Sequence, residues 1–353
     1  MSTQDPAARR STLRAEALRV ADDILFPAAA EVDRTGVVPP SHWRALAEAG
    51  LYAIAAPIEA GGPGLEFGEV TEILEVLVSG CLSTAFTWLQ HHGVVISLSR
   101  TANRSLSDEL LEPTITGRLR AGVAYAGVVP TPPRMTATRT DNGWVFAGYA
   151  PFVSGWGVVD LLQISARDRR TDNVIAAILP TAELPGTVRA SPVELTAAAA
   201  TSTVSLQVDS LAIPDARVVS RVTVDEFFAN QNVGVRLNGT LPFGLVRRCT
   251  ALLDVAGQAR AARRLRERAD DARMVLDSAM DDATDLLAAR ADAAGLALEA
   301  VAALVAARGG EALLRGSDAE RLFREASFVL VAASRPELKD LLVRRFAGEP
   351  DSR

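Results

Sequence analysis

Few residues in this chain have the types and spacing that chemistry requires. Phe152 and Ser154 close a strand-like stretch, Gly143-Trp144-Val145-Phe146-Ala147-Gly148 followed by Ala150-Pro151-Phe152-Val153-Ser154-Gly155-Trp156. Residues two apart on a strand face the same side, so a ring and a hydroxyl would share one surface, a pairing that suits a ligand face and an ordinary hairpin alike. Arg308-Gly309-Gly310 follows a long apolar helix. Such a turn either caps the helix or lets bare backbone approach a ligand, because only glycine permits such close approach. His91-His92 invites a metal or acid/base reading. Adjacent histidines point to different sides of a helix, however, and no Cys, His or carboxylate cluster accompanies them, so we expect no metal and a polar patch in the N-terminal part. Cys81 and Cys249 lie far apart in apolar helical patterns and read as reduced core residues. No P-loop, nucleophile elbow or zinc spacing occurs.

The elements that must position these residues fall into three stretches. From Ser11 to about Gly117 the pattern is helical: Leu13, Ala17, Val20 and Ile24 form one apolar face. Pro39-Pro40-Ser41 and Gly50 read as proline stop, serine N-cap and glycine C-cap of a short helix. Leu74, Val78, Leu82, Phe86 and Leu89 continue the helical period after the Ala60 to Gly64 break. Between about Arg118 and Pro214 the chain turns to strands at Gly143 to Tyr149, Val158 to Ser165, Val174 to Leu179 and Val204 to Val208. From about Thr223 onward it is helical again. No Gly or Pro falls between Gly257 and Gly295, which permits very long helices, and a bundle is the natural outcome. Ala291 to Arg308 is apolar enough to be buried nearly all round.

The 353 residues are 48% hydrophobic and 23% charged, enough for a large core and outside the disordered class. A formal charge of −6 argues against nucleic acid and anionic membranes, which select concentrated Lys and Arg. The N-terminus lacks a signal-peptide layout and no apolar run approaches the roughly 20 residues of a bilayer span, so a cytoplasmic protein is expected.

Four stretches resemble the acyl-CoA dehydrogenase family. Ala49-Gly50-Leu51 to Pro57 with Gly61-Gly62-Pro63-Gly64 is similar to its "AGL…P…GGxG" opening, and Gly143 to Trp156 to its "G-[W/Y]-x-L-x-G-x-K-x-[W/F]-I-[T/S]" strand pair. Arg308-Gly309-Gly310 resembles its "hGGxG" turn, and Ala319 to Ala326 its "ERLLRDA" segment. The resemblance implies an α+β, mostly α fold: an N-terminal helical domain over residues 1–117, a central β-barrel or sandwich over 118–220 and a C-terminal four-helix bundle over 221–353.

By the same resemblance, Tyr125, Phe152, Val153, Ser154, Gly309 and Gly310 border FAD, with Phe152 against the ring system and Ser154 bonded to its N5. The substrate would be an acyl-CoA thioester in fatty acid metabolism, the acceptor an electron-transfer flavoprotein, and the assembly a homodimer, a homotetramer or a hetero-oligomer with a catalytic relative. Running on from "ERLLRDA", the family's "Y-E-G" loop falls on Ala332-Ala333-Ser334, so its general base maps to Ala333. Asp225, Glu226 and Glu337 are the nearest substitutes. The "TEP…GSD" loop is replaced after Tyr125-Ala126-Gly127, and no "RxxFG" follows Glu267-Arg268. Three functions are compatible with this pattern: a dehydrogenase of the α–β bond with an unusual base, a non-catalytic subunit of a heteromeric dehydrogenase, and a flavin-dependent monooxygenase of the same fold.

Overall fold

The computed structural model describes residues 6–333 and 335–349. The chain opens with helices α1 (Pro6–Arg19), α2 (Phe26–Thr35), α3 (Pro40–Glu48), α4 (Phe67–Gly80), α5 (Leu82–Arg100) and α6 (Arg104–Ile115). A π-helical segment, Val20–Leu25, joins α1 to α2, and Leu13, Ala17 and Val20 are buried along the expected face. The start of α3 differs from the sequence expectation. Pro39 occupies the N-cap and Pro40 the first helical position, so Ser41 lies inside the helix and caps nothing. Proline suits that place because the N–H it lacks would be unpaired there anyway. The α4–α5 run is likewise broken at Cys81, whose backbone is extended.

The strands β1 (Ala121–Ala124), β2 (Met135–Thr140), β3 (Gly143–Val153), β4 (Leu161–Asp168), β5 (Val174–Pro180), β6 (Val188–Pro192), β7 (Val204–Pro214) and β8 (Val218–Val222) form one mixed sheet in the order β6-β7-β3-β2-β4-β5-β8. β4 pairs antiparallel with β5 on one side; on the other it pairs in parallel first with β1 and then, further along, with β2. Val158, expected at a strand start, lies instead in a turn whose N–H bonds to the Gly155 carbonyl.

The chain then returns to helices: α7 (Val224–Ala229), α8 (Gln231–Asn238), α9 (Leu241–Val255), α10 (Ala259–Ser278), α11 (Ala283–Arg308), α12 (Asp318–Val331) and α13 (Pro336–Ala347). α9, α10, α11 and α12 make the four-helix bundle. The stretch without Gly or Pro is nonetheless broken, because Asp282 caps α11 with its carboxylate on the Thr284 and Asp285 N–H groups. An aspartate N-cap ends one helix and starts another without a breaker residue. α11 is enclosed from Leu286 to Ala297 except at Asp292, but exposed positions return at Glu299, Ala302 and beyond Val305, so burial is not all round over its second half. By length and composition alone Ala283–Leu313 would also span a bilayer, contrary to the sequence expectation; here its first half packs within the bundle.

One apolar core takes residues from both ends of the chain: Leu25, Leu46, Leu74 and Leu77 join Phe243, Leu286, Leu322 and Leu342. The sheet keeps its own core around Phe146, Leu162, Ile164 and Leu206. A third cluster, with Val94, Leu98, Ala121, Leu161 and Ile178, fastens α5 to the sheet. The end of β3 therefore lies where sheet, α5 and bundle meet.

Candidate functional site

β3 does not reach its end with regular alternation. Its register against β7 shifts between Ala150 and Val153, and Phe152 takes φ 54, a left-handed backbone rare for a bulky residue. The kink re-aims two side chains: Phe152 is 66% exposed, whereas Ser154, just past the strand, is buried. The simple two-residue period thus fails here, for the local reason that a bulge interrupts it. Strain of this kind, about 1–3 kcal/mol, persists only where the surroundings over-determine it.

Those surroundings are a chain of hydroxyls. Ser154 Oγ lies 2.8 Å from Thr203 Oγ1, which lies 2.8 Å from Thr201 Oγ1, and Thr201 donates to the Ala198 carbonyl at 2.8 Å. Main-chain bonds clamp the same loop to the strand end: Gly155 N–H donates to Thr201 O at 2.7 Å and Trp156 N–H to Ser202 O at 3.1 Å. Ala198 and Ser202 both take left-handed backbone to present those carbonyls. Gly122 of β1 stands so close that a Cβ there would come within 3.4 Å of Ser154 O. Across from Gly155 lies Thr87 of α5, whose buried Oγ1 has no hydrogen-bond partner.

In the bundle, Arg290 of α11 meets the turn after α12. Arg290 is buried and donates to the carbonyls of Ala332 and, at 3.3 Å, Ala333; burial pushes its guanidinium down to about 10. Ala333 is exposed with φ 49 and carries no acid where the resemblance puts one. The substitutes do not fill the gap. Glu226 is spent on its own helix, accepting the Thr223 N–H at 2.8 Å, which holds its carboxyl below the usual range; Asp225 and Glu337 are exposed. Tyr125, in the turn after β1, is half-buried and near enough to Arg290 and Arg335 to feel both charges; burial raises its phenol.

Gly309 and Gly310 are not brought to this place. Gly309 takes a backbone that glycine tolerates (φ 59, ψ −140), and the turn borders a cavity of about 480 Å3 lined by Phe26, Val255, Arg308 and Glu311. A second cavity, of about 570 Å3 and lined by Asp22, Glu75, Arg247, Arg248 and Arg273, also lies apart from Tyr125, Phe152, Ser154 and Ala333. The histidines are not a surface patch. His91 and His92 are both buried, His91 accepts the Ala121 N–H on Nδ1 at 3.1 Å, and their rings pack edge-on against Tyr52 and Trp88. Among the described residues no His, Cys, Asp and Glu cluster could hold a metal. Both cysteines are free and buried, as expected.

Sequence reasoning missed Thr203, Thr201, Thr87, Arg290 and Arg335. Three of these left a signal: Thr201 and Thr203 in a hydroxyl triplet, Thr201-Ser202-Thr203, and Arg290 as a lone arginine inside the apolar run from Leu286.

Comparison with known proteins places this geometry. Residues 8–118 match the family described as acyl-CoA dehydrogenase, N-terminal domain. The whole fold is similar to the solved glutaryl-coenzyme A dehydrogenase in its glutaryl-CoA complex, at TM-score 0.83 and 15% identity, covering 99% of this chain and 98% of that one. Residues 8–118 thus carry that family's N-terminal domain, and the chain as a whole has the acyl-CoA dehydrogenase fold. It is 24% identical over 208 residues to benzylmalonyl-CoA dehydrogenase of Aromatoleum aromaticum, covering 58% of this chain and 55% of the relative. Against the mitochondrial short-chain specific acyl-CoA dehydrogenase of Bos taurus it is 24% identical over 205 residues, covering 55% and 49%. The chain spans about half the length of these curated relatives.

Proposed function

We propose that this chain binds FAD and a CoA thioester as an acyl-CoA dehydrogenase-like flavoprotein whose base position is held by Ala333. The observation that carries the reading is the end of β3: a buried hydroxyl fixed by a three-residue relay, beside an exposed aromatic ring held on strained backbone. The residues fit a flavin at this point. Thr87, whose methyl lies against Gly155, has a buried Oγ1 without a hydrogen-bond partner, and unpaired buried groups are costly unless a ligand or water meets them.

Bound FAD would supply hydride acceptance. The chain's own share is positional. Phe152 would cover the ring, Ser154 would hydrogen-bond at N5, and Val153 would fix the spacing between them. Thr201 donates to Ala198 O, so Thr203 can donate to Thr201 and Ser154 to Thr203; in that order Ser154 would meet N5 as an acceptor, from the N–H that the reduced ring carries there. Gly309 and Gly310 lie in the turn that borders the separate cavity of about 480 Å3 and would meet phosphates only from there.

Removing a proton next to a thioester carbonyl needs a positioned base, which typically supplies about 10²- to 10⁴-fold. Ala333 cannot take that proton. The same observation favours a second reading, a non-catalytic subunit that completes its site with a relative. An electron-transfer flavoprotein as acceptor and a homo- or hetero-oligomeric assembly belong to the same proposal.

The test is spectroscopic. The purified chain should show an oxidised-flavin spectrum, or gain it on FAD titration, and Ser154→Ala should shift that spectrum. Ala333→Glu should raise bleaching by acyl-CoA about 100-fold or more. A protein that takes up no FAD, alone or with a co-expressed relative, refutes the reading. Flavin uptake only with the relative selects the subunit.

A further inference from the structure

Positive charge collects beside the Ala332–Ala333 turn without negative charge to meet it. Arg290 is fully enclosed, and its two described hydrogen bonds go to main-chain carbonyls at the C-terminal end of α12. Those carbonyls temper its charge, as the negative end of a helix does. Arg335 has no such partner. Its Nη2 is buried with no hydrogen bond, and among the described residues the side chain enters no ion pair. Other enclosed arginines differ: Arg236 pairs with Asp277 at 2.6 Å, Arg248 with Asp22 at 2.6 Å and Arg321 with Glu325 at 3.0 Å. Glu337, the nearest acid in sequence, is exposed and unpaired with either arginine. Arg335 also caps the N-terminus of α13, whose unsatisfied N–H groups add partial positive charge at the same spot. Arg335 is half-buried, and a buried guanidinium nitrogen left without a partner is costly, so a turn that keeps one is arranged for an incoming anion.

We propose that Arg290 and Arg335, with Tyr125 and the N-terminus of α13, form an oxyanion site beside the Ala332–Ala333 turn that takes a carboxylate or phosphate group of the bound ligand. The guanidinium fork matches two oxygens of either group. The site shares Tyr125 and Ala333 with the flavoprotein reading and rests on that reading only for the ligand's name. If the ligand is a CoA thioester, the candidate oxyanions are a carboxylate on its acyl part and the phosphates of CoA; if it is FAD, the diphosphate.

Two measurements test this. First, thermal unfolding of the purified chain is followed in inorganic phosphate and in malonate, at ionic strength held constant with chloride. Both should raise the melting temperature of the wild type in proportion to the logarithm of concentration, and Arg335→Gln should abolish the rise while melting no lower than wild type in chloride. Second, affinities for FAD, butyryl-CoA and succinyl-CoA are compared in wild type, Arg335→Lys and Arg335→Gln. A charge-assisted hydrogen bond lost to glutamine weakens the responsible ligand about 10- to 100-fold, with lysine intermediate. Loss confined to succinyl-CoA assigns an acyl carboxylate, equal loss for both thioesters a CoA phosphate, and loss for FAD alone its diphosphate. If phosphate and malonate stabilise Arg335→Gln as they do the wild type, and every affinity stays within about two-fold, the oxyanion site does not exist. An anion response without any flavin uptake would retain the site while removing the flavoprotein reading.

Discussion

Replacing Thr203 by valine removes one hydroxyl at nearly constant shape from the middle of the relay beside Phe152. Thr203 Oγ1 is 2.8 Å from both Ser154 Oγ and Thr201 Oγ1, and all three residues are buried. The substitution forfeits two side-chain hydrogen bonds at about 0.5–1.5 kcal/mol each. It also strands the Ser154 hydroxyl, a further 1 kcal/mol or so at least, which together gives about 2–3 kcal/mol of destabilisation. Thr201 keeps its bond to Ala198 O and adds little to the loss. Ser154→Ala leaves Thr203 bonded to Thr201 and should cost only about 1 kcal/mol. In the double variant no hydroxyl is stranded, so the total should fall short of the sum of the single losses by roughly 1 kcal/mol or more. Urea unfolding monitored by tryptophan fluorescence, with unchanged slope across the four proteins, measures this. Single losses that add within about 0.3 kcal/mol, or a Thr203→Val protein as stable as wild type, would refute the relay.

Other consequences are equally direct. Burial pushes His91 down to about 3, His42 to about 4 and His92 well below its ordinary value, so the unfolded chain binds these protons more readily. Stability should therefore be complete above the ordinary imidazole range near 6.5 and fall as pH drops toward 4. The slope should reach at most about 4 kcal/mol per pH unit, and His92→Phe should remove about a third of it in urea titrations at several pH values. Gly244 of α9 meets α4 so closely that a Cβ would sit 2.4 Å from the Val78 side chain, so Gly244→Ala should cost about 1–3 kcal/mol and lower the melting temperature. Glu325→Leu leaves Arg321 enclosed with only Asp318 as partner and should cost about 3 kcal/mol, whereas Arg321→Met combined with Glu325→Leu should fall within about 1 kcal/mol of wild type in chemical denaturation.

The order of helices, strands and helices was legible because period and composition change sharply near Ile115 and Val222, and so were the strands with dense Val, Ile and Leu such as β5 and β7. β2 and β6 were not, since Met135-Thr136-Ala137-Thr138 and Val188-Arg189-Ala190-Ser191 pair as strands through neighbours rather than through their own pattern. The Asp282 cap escaped notice for a similar reason: one short acid between helix formers is decided by which N–H groups it reaches. At the site, the stretch around Phe152 was recognisable, but its bulge was not, because register slips depend on the partner strand. Thr87 and Thr203 come from segments far apart in sequence, and only tertiary structure brings them to one end of β3. Arg290 could have been suspected, since a charge within an apolar inner helix must find a partner.

The shared apolar core of the two helical segments has a bearing on how the chain is made. Leu74 and Leu77 find Phe243 and Leu286 only after about 165 to 210 further residues have been synthesised, a wait of roughly 10 to 40 s at ribosomal speed. During that interval the opening helices would present oily flanks to whatever is nearby, while the sheet, with its separate interior, can already close. Biogenesis should accordingly lean on chaperones that shelter the first hundred residues, and a fragment ending before α9 should clump rather than fold.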